Sequence, residues 1–168
     1  MGDETLLLVM GVSGSGKTTV GAMLAGRLRW RYAEADDFHP AANVAKMAAG
    51  EPLTDADRWP WLGAIAAWMD ERRAAGEPAV VTCSALKRSY RDLLRADRRD
   101  VRLVYLRGDR ELIAGRLVAR HGHFFPDKLL ASQFADLEEP GVDEDPLVVP
   151  IEGTPDEIVD RIVAGLDT

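Results

Sequence analysis

Gly11-Val12-Ser13-Gly14-Ser15-Gly16-Lys17-Thr18 spells G-x-x-x-x-G-K-[ST] in full. The apolar run Leu6–Met10 precedes it, and a helical pattern of Val20, Leu24 and Leu28 follows. In that setting each residue type has a physical task. Gly11, Gly14 and Gly16 permit backbone conformations that turn successive N–H groups inward and leave room for phosphate oxygens. The helix behind them adds its positive N-terminal end. Lys17 is expected to reach the β- and γ-phosphates of a nucleotide, and the Thr18 hydroxyl to complete a Mg²⁺ shell. Val12, Ser13, Ser15 and Thr19 fill out the same loop and first helical turn. The pattern predicts a nucleotide-binding P-loop.

Outward from this loop, short apolar runs at 31–35, 79–83, 101–106 and 147–151 alternate with longer amphipathic stretches. That is the βαβ signature of a parallel sheet. Several runs are apolar throughout, as strands covered by helices on both faces should be. The expected fold is α/β, with a five-stranded parallel sheet flanked by helices. The clearest helix spans 55–74, where Trp61, Leu62, Ile65, Trp68 and Met69 form one apolar stripe. Thr54 and Asp57 resemble a capping box at its start. Thr154-Pro155-Asp156-Glu157 opens a last helix with a cap, a first-turn proline and two acids facing the dipole. Segment 121–128, His-Gly-His-Phe-Phe-Pro-Asp-Lys, interrupts the rhythm and reads either as a lid over a site or as a plain helix–helix connection.

The chain has 168 residues, 46% hydrophobic and 29% charged, with a formal net charge of -7. One domain spanning 1–168 is expected, since cores divide only beyond about 250 residues. The acidic balance argues against generic nucleic-acid or anionic-membrane binding. No stretch approaches the ~20 apolar residues of a membrane span. Cys83 is the only cysteine, which excludes an intrachain disulfide and a Cys-based zinc cluster. A cytoplasmic protein without a signal peptide is the expectation. The charge is unevenly spread. Residues 87–120 hold eleven Lys/Arg against five Asp/Glu, whereas 134–168 hold eleven acids and only Arg161. The basic stretch covers the segment where phosphates and a carboxylate would need company.

A guanine-reading N-K-x-D and a switch D-x-x-G are both missing from the sequence. The run at 79–83 ends in Cys-Ser-Ala-Leu-Lys rather than in the carboxylate of a motor ATPase. What remains reads best as a small-molecule kinase. Ligands of parallel sheets bind at the carboxyl ends of the strands, which brings Asp36, in Glu34-Ala35-Asp36-Asp37-Phe38-His39-Pro40, toward the phosphates. A carboxylate there can accept the proton of an attacking hydroxyl or hold Mg²⁺. Asp37 and His39 could instead cap a helix beginning near Pro40.

Several further blocks follow in order. They are Ala35-Asp36-x-x-His39-Pro40, Asn43, Lys46-Met47, Gly50, Pro52-Leu53-x-Asp55-x-Asp57-Arg58-x-x-Trp61-Leu62, and Cys83-Ser84-Ala85-Leu86-Lys87-Arg88-x-Tyr90-Arg91. After them come Arg116-x-x-x-Arg120-x-x-His123-Phe124-Phe125 and Ser132-Gln133-Phe134-x-x-Leu137-Glu138-x-Pro140. Together they resemble the bacterial-type gluconate kinases over about residues 6–150. That family often has Asp-Gly-Asp where Glu34-Ala35-Asp36 stands, with Asp36 retained. The resemblance implies a P-loop kinase fold with a small helical lid at about 116–137. It also implies phosphorylation of D-gluconate at its 6-hydroxyl, with ATP and Mg²⁺ as cofactors, and a homodimer.

On that resemblance Lys17, Asp36 and Arg120 are the catalytic candidates, and Thr18 and Asp36 the metal candidates. Arg116 would lie against adenine, and Arg120 would reach the phosphates when the lid closes. A polyol ending in a carboxylate needs a cation and hydrogen-bonding groups. Arg58, Lys87, Arg88, His39 and Gln133 are the candidates, with Arg58 and Lys87 first. Cys83 reads as packed at a strand end, because phosphoryl transfer needs no thiolate. The rivals are shikimate kinase, which has a Gly-Gly-Gly turn where Cys83-Ser84-Ala85 stands, a nucleoside-monophosphate kinase, and a non-enzymatic nucleotide switch.

Overall fold

The computed structural model describes residues 5–12, 14–96, 98–121 and 127–166. Five strands form one parallel sheet, β1 (Leu6–Met10), β2 (Arg31–Glu34), β3 (Ala79–Thr82), β4 (Val101–Arg107) and β5 (Leu147–Pro150), in the order β2-β3-β1-β4-β5. The register places Leu8 of β1 between Val81 and Leu103. Every residue of β1 is buried. Leu7 and Val9 face one apolar cluster with Val20, Leu24, Ile158 and Ile162, while Leu6, Leu8 and Met10 face another with Trp61, Ile65, Met69 and Leu94. A central strand buried on both sides cannot alternate polar with apolar, so its unbroken apolar run was legible.

The helices are α1 (Lys17–Leu28), α2 (Ala41–Ala48), α3 (Asp55–Ala74), α4 (Arg88–Arg95), α5 (Arg110–His121), α6 (Asp127–Asp136) and α7 (Pro155–Leu166). Helix α3 has the bounds expected of it. Its capping box is complete: the Thr54 hydroxyl accepts from the Asp57 N–H at 3.2 Å, and the Asp57 carboxylate accepts from the Thr54 N–H at 2.9 Å. Thr154 and Glu157 repeat the exchange ahead of α7. Strand β2 is one residue shorter than expected. Ala35 begins a 3-10 turn (Ala35–Phe38), and its carbonyl takes the Trp61 indole N–H at 2.6 Å. Asp36 therefore stands in a turn just past the strand.

Residues 122–126, most of the segment read as a lid or a connection, lie outside the described residues, between α5 and α6. The basic middle of the chain needs a different account from the one expected. Arg88 pairs with Asp143, Arg91 with Glu144 at 2.7 Å, and Arg107 with Glu139 at 3.4 Å. Arg102 donates to the Asp145 carbonyl at 3.1 Å, and Arg95 to that of Glu144. Much of the basic excess thus meets the acidic end of the chain rather than a ligand.

Candidate active site

The strands' carboxyl ends open onto a cleft of about 420 Å³. The P-loop and the start of α1 supply Gly14, Gly16, Lys17, Thr18 and Thr19. The end of β2 and the turn after it supply Glu34 and Asp36, the end of β3 and the chain just past it supply Thr82, Cys83 and Ser84, and α5 and α6 add Leu117 and Gln133. A second hollow of about 250 Å³ shares Gly14, Gly16 and Leu117 and is completed by Ser15, Arg116, Gly153, Pro155 and Ile158.

Gly14 (φ +85°) and Gly16 (φ +93°) occupy the left-handed region. At Gly14 a Cβ would also come within 2.7 Å of Leu117 Cγ, so both conformation and space demand glycine. The Lys17 ammonium donates to the Gly11 and Val12 carbonyls at 2.9 and 3.2 Å. Burial holds its pKa below the ordinary lysine value, while Asp36 and Glu34 pull the other way. Val12 and Ser15 are buried, and the Ser15 hydroxyl has no hydrogen-bond partner among the described residues. Ser13 lies outside them. A glycine-lined cradle at the start of α1, a half-buried cation and an orphaned hydroxyl suit a polyphosphate. The oxygens of Thr18, Glu34 and Asp36 share the cleft with it. Hard oxygen donors beside phosphate fit Mg²⁺, which keeps few protein ligands when phosphates bind it.

Asp36 has its side chain 92% exposed, and His39 Nε2 lies 4.0 Å from its Oδ1. The His39 ring is stacked on Trp61, 4.4 Å between centroids and 12° between planes. Its Nδ1 is 3.2 Å from the Asn43 amide nitrogen, which also donates to the Asp57 carbonyl at 2.9 Å. An amide N–H there requires Nδ1 to accept, which assigns the ring proton to Nε2, facing Asp36. Burial lowers the His39 pKa below its usual value, opposed by Asp36 and reinforced by Arg58. Glu34 accepts a hydrogen bond from the Tyr32 hydroxyl at 2.9 Å. Burial above all pushes that phenol up to about 12.

Arg58 and Lys87 come together over the Tyr90 ring, and neither is among the residues that line the main cleft. Arg58 Nη1 donates to the Tyr90 hydroxyl at 3.0 Å, and Lys87 Nζ donates to Asp55 Oδ1 at 3.3 Å. Arg88 does not join them. Its guanidinium pairs with Asp143, and its backbone N–H donates to Glu138 at 2.7 Å. Gln133 lines the main cleft. Arg116 lines the second hollow and donates to the Ile151 and Gly153 carbonyls. Arg120 belongs to α5, and its side chain lies outside the described residues. Burial pushes the Cys83 thiol up to about 12, which leaves no thiolate for chemistry.

Arg91 had no role in the sequence reading. It is fully buried and forms a two-pronged pair with Glu144 at 2.7 and 3.1 Å. Its remaining nitrogen, Nη1, donates to the Ala85 and Leu86 carbonyls at 2.9 and 3.1 Å. Ala85 has φ +45°, strained for a residue with a Cβ. The arginine thus holds the loop between β3 and Lys87 in shape, and the Glu138 N–H secures the Leu86 carbonyl from the other side at 2.8 Å. One sign was available. Tyr90, Arg91 and Leu94 share the inner face of α4, and an arginine on such a face calls for a buried acid.

A family model described as an AAA domain matches residues 6–140. A gluconokinase of Gluconobacter oxydans (strain 621H) is 51% identical over 157 residues, covering 94% of this chain and 88% of the relative. The thermoresistant gluconokinase of Escherichia coli (strain K12) is 43% identical, covering 97% and 96%. The crystal structure of a gluconokinase from Sinorhizobium meliloti 1021 superposes with a TM-score of 0.85 at 46% identity, covering 96% of this chain and 90% of that one. With a P-loop, an acidic turn and a cationic pair arranged on this sheet, the chain belongs to the gluconokinase family of P-loop kinases.

Proposed function

We propose that the protein transfers the γ-phosphoryl group of ATP to the 6-hydroxyl of D-gluconate, giving ADP and 6-phospho-D-gluconate. The observation that carries this reading is that one cleft holds the P-loop residues Lys17 and Thr18 together with Asp36. The β- and γ-phosphates lie in the cradle of Gly14 to Lys17, and the base lies in the hollow beside Arg116. Thr18 and Asp36 would hold Mg²⁺, which neutralises phosphate charge when bound. Asp36 orients the 6-hydroxyl and takes its proton as the new O–P bond forms. The bond from the γ-phosphorus to the β-phosphate oxygen breaks, and its electrons leave with ADP. Lys17 stabilises charge on the transferring group. His39 directs its Nε2 proton toward Asp36 or a neighbouring substrate hydroxyl. Arg58 and Lys87 receive the gluconate carboxylate; Arg88, engaged with Asp143, is left out of this set. Gln133 meets substrate from α6. Residues at about 116–137 act as the lid of a single domain and carry Arg120 onto the phosphates.

A cytoplasmic setting and a homodimer complete the proposal, to be tested by cell fractionation and light scattering. Among the described residues no helix is long and apolar enough to cross a membrane. The decisive test is a coupled ADP-release assay over gluconate, shikimate, other sugar acids and nucleoside monophosphates, with Asp36→Asn alongside. Gluconate-dependent ADP release is expected. The variant should lose about 100-fold or more in kcat while still binding ATP. ADP release indifferent to every acceptor would defeat the reading, and near-normal turnover by Asp36→Asn would remove the base.

A further inference from the structure

Arg58 and Lys87 converge from two elements on a third residue to which the mechanism gives no task. The Tyr90 side chain is nearly buried. Its hydroxyl accepts from Arg58 Nη1 at 3.0 Å and donates to Asp55 Oδ1. A phenol has one proton to give, so the donation to Asp55 leaves its lone pairs for the guanidinium. The direction of both bonds is thereby fixed. Lys87 Nζ reaches the same Asp55 oxygen, and both cations sit 5.7 Å from the centre of the Tyr90 ring. Trp59 meets that ring edge-on at 5.7 Å and holds its plane.

Arg58 and Lys87 bring two positive charges together at Asp55, with Asp136 also acting on Lys87. The hydrogen bond from Tyr90, then that from Lys87, holds Asp55 below the usual carboxylate range, so it stays ionised. Burial raises the Tyr90 pKa, so the hydroxyl keeps its proton. An arginine on a flexible stem loses rotamer freedom whenever it binds an anion. A hydroxyl that holds it beforehand removes part of that cost.

We infer that Tyr90 is a positioning residue for the acceptor, its hydroxyl fixing the Arg58 guanidinium and thereby setting affinity for the substrate carboxylate. This rests on the gluconate reading above. Steady-state kinetics for gluconate and ATP on the wild type, Tyr90→Phe, Arg58→Ala and the double variant test it. Tyr90→Phe should raise KM for gluconate about tenfold, the loss of one hydrogen bond to a charged group. Its kcat should change little and its KM for ATP not at all. The double variant should be no worse than Arg58→Ala, because the hydroxyl acts through that arginine. An unchanged gluconate KM in Tyr90→Phe beside a raised one in Arg58→Ala overturns the role of Tyr90 alone. So do effects that multiply in the double variant, or a joint loss of kcat, ATP affinity and Tm. A normal gluconate KM in Arg58→Ala overturns the carboxylate contact and the Tyr90 role with it. A wild type without gluconate-dependent ADP release overturns the proposed function itself.

Discussion

His39 shows how one side chain can serve both packing and chemistry. Its ring lies flat on Trp61, one edge is bound to Asn43, and the other faces Asp36. Burial depresses its pKa in the folded state, so the unfolded chain binds the proton more readily. The stability that His39 contributes is therefore complete above about pH 6.5 and is lost as pH falls through that value toward the lower, folded pKa. Thermal unfolding followed from about pH 8 to 5 should show Tm falling over the lower half of that range, and His39→Gln should flatten the fall. An equal slope in the variant would locate the effect elsewhere. At this scale the sequence showed what motifs can show. Lys17, Thr18 and Asp36 were legible because strand ends and the P-loop fix their direction. Arg88 was not, because its partner Asp143 lies 55 residues away and no local pattern announces it.

Helix α3 is the element whose limits were read most closely, because its ends are written in local chemistry. Thr54 and Asp57 exchange hydrogen bonds, and Lys46 adds a third contact to the same carboxylate at 2.8 Å. Lys46 first, then the Thr54 backbone, lowers the Asp57 pKa to about 2. Thr54→Ala should cost about 1 kcal/mol and lower Tm by about 2–4 °C, with Thr54→Ser restoring most of it. Calorimetry at neutral pH measures both. A Tm unchanged by Thr54→Ala would show that Lys46 and the helix dipole suffice. The end of β2 was harder to place, since the turn at Ala35 depends on a hydrogen bond from Trp61, a distant residue on α3. Local propensity carries no trace of such a partner.

Across the whole molecule, the buried pair of Arg91 and Glu144 joins α4 to the chain ahead of β5. Glu144→Ala would leave a guanidinium sealed from water without its carboxylate, at a cost of about 3–5 kcal/mol. Urea unfolding should register that loss. An apolar replacement of both partners (Arg91→Met with Glu144→Leu) should recover much of the stability. A Glu144→Ala midpoint close to wild type would mean that water reaches the arginine. The parallel sheet and its helices were legible because burial on two faces marks the strands. The ion pairs between distant segments were not, since charge counts reveal amounts and never pairings. Those pairings also bear on how the chain is made. Residues 1–133 carry a net charge of +3, and the last 35 residues bring the total to -7. Residues 1–86 carry a net -3 and residues 87–133 a net +6, so the cationic middle of the chain stays uncompensated until residues 134–168 join it. That stretch delivers the edge strand and the counter-ions for Arg88 and Arg91 together. The loop carrying Lys87 can therefore take its final shape only once Glu138 and Glu144 have reached it.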